Sequence, residues 1–324
     1  MLRRIALVSL QVLLCAGLAL PMATQAAQAA KALDVHMSDA SIPVWVPATA
    51  GAVAHTANLV GHVYRPQGEG PWGLVVLSHG TPAGKEAREA LTDEYGPQAR
   101  AIAGLGYVVV TGLRRGYGAS DGPLADRYGS CSAPDYQHAA QESARDVAAI
   151  MRYGQALPFV DSGNVVLMGK SAGGFASLAL AAQQPVGLRG VINFAGGRGA
   201  QPQMRAKHTI CNEAALLKTI TGFAQTTKVP MLWIYAQNDN YFRPALVEKM
   251  SKRYQRASKT LDLEIHFVKP ANAARDGGHR YFDKTANINF WLSDVQDFLK
   301  AQTPGAEPAP AAEQNTPSTK GDNT

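Results

Sequence analysis

The chain has 324 residues, a formal net charge of +6 and an ordinary 46 % of hydrophobic residues, so it can bury a sizeable core. Its lysines and arginines are scattered rather than gathered into a face, and nothing points to nucleic acid as a partner. The length, less a leader, fits one large α/β domain.

The leader is the first segment met. Met1-Leu-Arg-Arg4 is a basic start, residues 5–20 are apolar, Pro21 ends the run, and Thr24-Gln25-Ala26 and Ala27-Gln28-Ala29 offer small-residue cleavage sites. A short apolar run with those flanks reads as a cleavable secretory signal over 1–29 rather than an anchor. Leu13 and Leu14 stand before Cys15 where lipidation of that cysteine would need small residues. The mature protein is therefore expected in the periplasm or outside the cell, without a membrane span. It keeps Cys131 and Cys211. An even count in an oxidising compartment favours one disulfide, two separate half-buried thiols being the alternative. Closing so long a loop is worth about 4 kcal/mol by chain entropy. His208 and Cys211 have a metal-like spacing but no second pair, so zinc is not expected.

Residues 33–36, 44–46 and 59–65 are short β-type runs, the last alternating as a half-exposed strand does. Residues 72–78 are a continuous apolar run, expected of a strand buried on both faces, and lead into His79-Gly80-Thr81-Pro82. A helix is expected over 92–104, a buried strand over 107–113 and a long helix over 136–153. Apolar residues 165–168 precede Gly169-Lys170-Ser171-Ala172-Gly173, and a helical pattern follows over 175–182. Strands at 190–195, 229–235 and 263–268, and helices at 244–258 and 285–301, complete the pattern. Residues 302–324, rich in Pro, Ala, Gln, Asn and Thr, read as a disordered tail.

Alternating strands and helices imply a doubly wound, mostly parallel sheet, in which reactive groups gather at the carboxyl ends of the strands. Three such ends carry candidate chemistry. Ser171 sits in a G-x-S-x-G pentapeptide between strand and helix, a spacing that forces a strained turn and exposes the hydroxyl. Asp239 follows the strand at 229–235, and His279 follows the last strand in Gly277-Gly278-His279. In that arrangement His279 takes the Ser171 proton and returns it to a leaving group, while Asp239 orients the imidazole. The backbone amides of Ala172 and Thr81 are the expected oxyanion donors.

With these residues in hand, the sequence resembles the α/β-hydrolase superfamily, in particular the dienelactone-hydrolase-related serine hydrolases. The matching pieces are His79-Gly80, Arg115-Gly-Tyr-Gly-Ala-Ser-Asp-Gly122, the pentapeptide around Ser171, Asp239 and Gly278-His279, spread over residues 59–299. The resemblance implies the α/β-hydrolase fold and a metal-free, cofactor-free hydrolase working through an acyl-enzyme. Dienelactone hydrolases proper carry a cysteine where this chain has Ser171, which favours ordinary ester chemistry over lactone hydrolysis. Tyr241, Phe242, Tyr281 and Arg115 are candidates for the substrate pocket. Core packing is the alternative for the aromatics, and pairing with an acid such as Asp121 for Arg114 and Arg115. Lys170 reads as a packed or paired residue, and His138 as a plain helix residue. Residues 196–228 show no strand signal and stand where the superfamily places its lid. Cys131–Cys211 would then tie the lid to the mouth of the site.

The expected activity is hydrolysis of small acyl esters in an exported domain spanning 30–301. A peptidase or amidase on the same triad, a cofactor-free perhydrolase and a non-catalytic binding protein on the same fold are the rivals. The oligomeric state is not legible.

Overall fold

The computed structural model describes residues 33–92, 95–200, 210–258, 260–269 and 278–303. The leader, His208, most of the loop before His279 and all but the start of the 302–324 tail lie outside the described residues.

Eight strands form one sheet: β1 (Val35–Val46), β2 (His55–Pro66), β3 (Trp72–Ser78), β4 (Tyr107–Gly112), β5 (Val160–Lys170), β6 (Leu188–Phe194), β7 (Met231–Ala236) and β8 (Leu263–Val268). Their order is β1-β2-β4-β3-β5-β6-β7-β8. From β4 to β8 every neighbouring pair is parallel, while β1 and β2 are added antiparallel at one edge. This is the expected doubly wound sheet. The central runs are apolar because helices cover both faces. Along β4, Val108 and Val110 enter one core and Val109 the other, so successive side chains serve opposite layers.

Helices α1 (Lys85–Glu89), α2 (Gly96–Ala103), α3 (Tyr136–Gln155), α4 (Ala172–Ala181), α5 (Glu213–Ala224), α6 (Pro244–Ala257) and α7 (Ile288–Gln302) connect the strands. Helices α3 to α6 cover one face through residues such as Ile150, Phe175, Ile220 and Val247, and α2 and α7 cover the other through Ile102, Trp291 and Phe298. Burying such a side chain fully contributes about 1.5–3 kcal/mol. Asp135 caps α3, its carboxylate accepting from the His138 amide at 2.9 Å. That places His138 in an exposed first turn, as a plain helix residue.

The structure corrects the reading of residues 196–228 as a lid. Most of the second half of that segment is α5, the crossover helix between β6 and β7. Leu216, Leu217, Ile220, Phe223 and Ala224 are buried on one stripe, and Phe223 meets Phe175 of α4 with ring centroids 5.4 Å apart. Apolar residues at that spacing belong to a helix docked on the sheet layer. What remains beside Ser171 is Gly197 to Ala200 after β6, and residues 201–209 lie outside the described residues.

Cys131 and Cys211 form a disulfide. It links the loop before α3 to the turn before α5, and two hydrogen bonds hold the same place. The Cys211 amide donates to the Gly199 carbonyl at 2.8 Å, and the Tyr136 hydroxyl donates to the Cys211 carbonyl. Among the described residues no helix is long and apolar enough to cross a membrane.

Candidate active site

Four strands of the parallel part of the sheet, with β3 and β5 on one side of β6 and with β7 and β8 on the other, bring the site together. Ser171 follows β5, Gly80 and Thr81 follow β3, Asp239 follows β7, and His279 lies in a single 3-10 turn after β8. Pairing of Ser78 with Gly169 puts the β3 and β5 ends side by side, as expected.

The turn at Ser171 has φ 54° and ψ −118°, a backbone conformation that a serine holds only when its surroundings impose it. The flanking glycines show what imposes it. A Cβ on Gly169 would lie 2.4 Å from the Gly173 backbone, and one on Gly173 would lie 2.2 Å from the Ser78 carbonyl oxygen. Strand and helix can meet this closely only without those side chains.

His279 Nε2 stands 3.1 Å from Ser171 Oγ, and its Nδ1 stands 3.0 Å from Asp239 Oδ2. With Nδ1–H donating to the carboxylate, Nε2 is left as the acceptor for the serine hydroxyl. Asp239 Oδ1 accepts from the amides of Tyr241 at 2.7 Å and Phe242 at 3.0 Å, so the carboxylate cannot rotate away from the imidazole. Tyr241 stacks on His279, with centroids 4.0 Å apart and the ring planes nearly parallel. Burial first, and the Lys170 charge second, lower the His279 pKa below the usual imidazole value against the opposing pull of Asp239. The imidazole therefore rests as a neutral base.

Lys170 is a paired residue, as read: its ammonium meets Asp283 at 3.2 Å, and Arg280 Nε reaches the same carboxylate oxygen at 3.2 Å.

On the other side of Ser171, Ala172 opens α4 and Thr81 follows Gly80, the two positions expected to supply oxyanion donors. The Thr81 side chain is held from below. Its Oγ1 lies 2.8 Å from the Tyr117 hydroxyl and accepts from Arg198 Nη1 at 2.9 Å. Tyr117 reaches Asp126 at 3.0 and 3.1 Å, and Asp126 pairs with both Arg114 and Arg198 at 3.4 Å. Burial works to raise the Asp126 carboxyl, and Arg198 and Arg114 outweigh it and hold it below the usual carboxylate value. His79 completes the cluster. Its Nε2 accepts from the Arg114 amide at 3.0 Å, which leaves Nδ1–H to donate to the Gly80 carbonyl at 2.6 Å. Burial, then the Arg114 charge, push its pKa well below the ordinary value, so this imidazole is a neutral strut.

Two cavities open on Ser171, of about 360 Å³ and about 330 Å³. Tyr241 lines both and Phe242 the second. The other two pocket candidates fall elsewhere. Tyr281 is buried in the core with Phe282 and Trp291, because the 3-10 turn that begins at Gly278 turns it inward while His279 faces the serine. Arg115 is tied to Asp146 at 2.6 Å and Glu142 at 2.7 Å, both on α3. Its partner is not Asp121, which instead accepts from the Asn58 amide at 2.8 Å.

Sequence reasoning missed Arg198, Asp126 and Asp283. Arg198 follows β6, so inspecting every strand end would have found it; the other two pair across the fold and carry no local signal. Among the described residues no cluster of three or more His, Cys, Asp or Glu is arranged to hold a metal.

Solved structures share this architecture at low identity. An esterase of Pyrococcus furiosus matches at TM-score 0.54 and 14 % identity, covering 82 % of this chain and 93 % of that one. A dienelactone hydrolase-like promiscuous phosphotriesterase from metagenomic libraries matches at TM-score 0.53 and 18 % identity, over 82 % and 98 %. An acylaminoacyl peptidase of Pyrococcus horikoshii matches at TM-score 0.55 and 14 % identity, over 84 % of this chain but 43 % of that one. These likenesses establish the α/β-hydrolase fold. No curated protein matches the sequence. The family model for X-Pro dipeptidyl-peptidase (S15 family) matches residues 56–221, which hold β2 to β6, the elbow and the cluster beneath Thr81. With half of its length so matched, the chain belongs to the X-Pro dipeptidyl-peptidase (S15) family and is a hydrolase of the esterase and peptidase type on the α/β-hydrolase fold.

Proposed function

We propose that the protein is an exported serine hydrolase that cleaves small acyl esters through Ser171, His279 and Asp239. The observation that carries this reading is the unbroken chain of contacts from Ser171 Oγ to His279 Nε2 at 3.1 Å and from His279 Nδ1 to Asp239 at 3.0 Å. Ser171 Oγ attacks the carbonyl carbon while its proton passes to Nε2. The oxyanion is met by the amides of Ala172 and Thr81. On collapse the leaving group takes the proton from Nε2 and an acyl-enzyme remains, which water hydrolyses by the same steps. Asp239 keeps the imidazole in the required tautomer. The substrate is a small molecule, and no cofactor takes part in any step. The disulfide supports passage through an oxidising compartment, in keeping with the leader at 1–29.

The S15 family match favours a second reading, cleavage of an amide or peptide bond by the same machinery. A fluorophosphonate probe tests the nucleophile: labelling of the mature protein and its loss in Ser171→Ala are expected, and an unlabelled wild type would favour a binding protein. A panel of esters beside matched amides then separates the two chemistries. Faster turnover of amides than esters would overturn the esterase reading, and peroxide-dependent oxidation would point to a perhydrolase instead.

A further inference from the structure

The two cavities at Ser171 differ in which one His279 enters. His279 lines the larger, with Lys170, Arg280 and Asp283. It is absent from the wall of the smaller, which includes Arg88, Tyr128, Gly197, Arg198 and Phe242. A leaving group takes its proton from the imidazole, so it must occupy the cavity that His279 lines. The acyl group then lies in the other.

Charge distinguishes that acyl cavity. Its described wall holds two arginines and neither Asp nor Glu. Asp126, behind it, is shared by Arg114 and Arg198, so one carboxylate answers two guanidinium groups and a positive charge is left over beneath Thr81. Arg198 is buried, yet its Nε has no acceptor among the described residues. Arg88, half-buried on α1, makes no ion pair or side-chain hydrogen bond among the described residues. In the leaving-group cavity, by contrast, Lys170 and Arg280 both spend their charge on Asp283. An aliphatic acyl group would leave the cavity's arginines unanswered; an anionic one would pair with them.

We propose that the smaller cavity is an anion subsite, and that the preferred substrates are esters whose acyl group ends in a carboxylate, half-esters of short dicarboxylic acids, with Arg88 as the pairing group. This rests on the ester-hydrolase reading above. The guanidinium offers a planar pair of donors to a carboxylate, and partial burial keeps the pair from full screening by water. The same charge works against an ammonium in this position, such as the free amino terminus of a peptide substrate.

The test uses p-nitrophenyl half-esters of glutaric and adipic acid, each against its methyl-capped neutral counterpart, with Ser171→Ala as the blank. The expected result is a kcat/KM about tenfold higher for at least one half-ester than for its capped partner, a ratio that falls toward one in Arg88→Gln and with added salt. Wild-type ratios at or below one would overturn the proposal, as would a high ratio unchanged by Arg88→Gln. Serine-dependent turnover of the capped esters keeps the hydrolase reading intact even then. Failure of every ester, together with no fluorophosphonate labelling, would bring down both.

Discussion

Ser171 stands between two supports built on different principles. On the His279 side, the links fall into two separate groups: His279 with Asp239 and the stacked Tyr241, and Lys170 with the exposed Arg280 on Asp283. On the Thr81 side, His79, Arg114, Tyr117, Asp126 and Arg198 are all buried and share partners, with Asp126 common to both arginines and the tyrosine. Links of the first kind can be altered one at a time. A buried cluster with shared partners is coupled, because removing one member strands charges that have no access to water. In the proposed mechanism the division separates tasks: the side that would move protons is tunable, and the side that would shape the oxyanion loop is fixed.

The largest expected effect probes the tunable side. Asp239→Asn should lower kcat by about 10⁴-fold while the thermal melting curve stays close to wild type, since the backbone bonds from Tyr241 and Phe242 can still be accepted. A matching loss of fold would break the distinction between the two supports. Asp126→Asn should do the reverse. It leaves Arg114 and Arg198 without the one carboxylate they share, and urea unfolding should show a loss of about 3–5 kcal/mol. A cost near that of an exposed pair would mean that the cluster is not coupled. Replacing both Cys131 and Cys211 by serine, 80 residues apart in sequence, should cost about 2–4 kcal/mol by the same measurement.

Smaller effects come from charge and pH. Lys170⁺ disfavours the imidazolium of His279, so Lys170→Met should move the acid limb of the kcat/KM profile to higher pH, with the plateau little changed. A limb that stays in place would show that Lys170 only packs. The pH dependence of stability gives the finest test. His79 and His279 have folded pKa values below 6.5, so below that pH the unfolded chain binds protons that the fold refuses, and stability falls as the pH drops. His266 runs the other way. Burial opposes its charge, but Asp294 and Glu264 outweigh burial and raise its pKa. Its contribution is full below 6.5 and is lost as the pH rises through the folded value. Unfolding of His266→Gln across that range should therefore show a steeper loss toward acid than wild type.

Legibility in the sequence followed the range of the interaction involved. Residues 72–78 and 107–113 are read correctly because a strand covered on both faces must be apolar throughout, a strictly local requirement. Ser171, Asp239 and His279 could be singled out, and do lie side by side, because the strand-end rule turns a three-dimensional arrangement into three local searches. Strand β1 reads as two fragments, since an edge strand with one exposed face carries polar residues through its middle. Five-residue α1 has no buried face to leave a pattern. Arg115 has its true partners on α3, and nothing in the local chain distinguishes Asp146 from Asp121. For α5 the stripe was present, but its distance from β6 favours an insertion over a crossover helix.

Ser171 lies between Cys131 and Cys211 in the sequence, so the disulfide encloses it in a closed ring of main chain that also contains α3, β5, α4 and β6. A single break of the backbone anywhere in that ring would not free either part. Ser171 would stay covalently joined, through sulfur, to the strands on both sides of it. In a protein read as working outside the cell, where peptide bonds are exposed to proteases, the bridge makes the integrity of the site depend on two cuts rather than one.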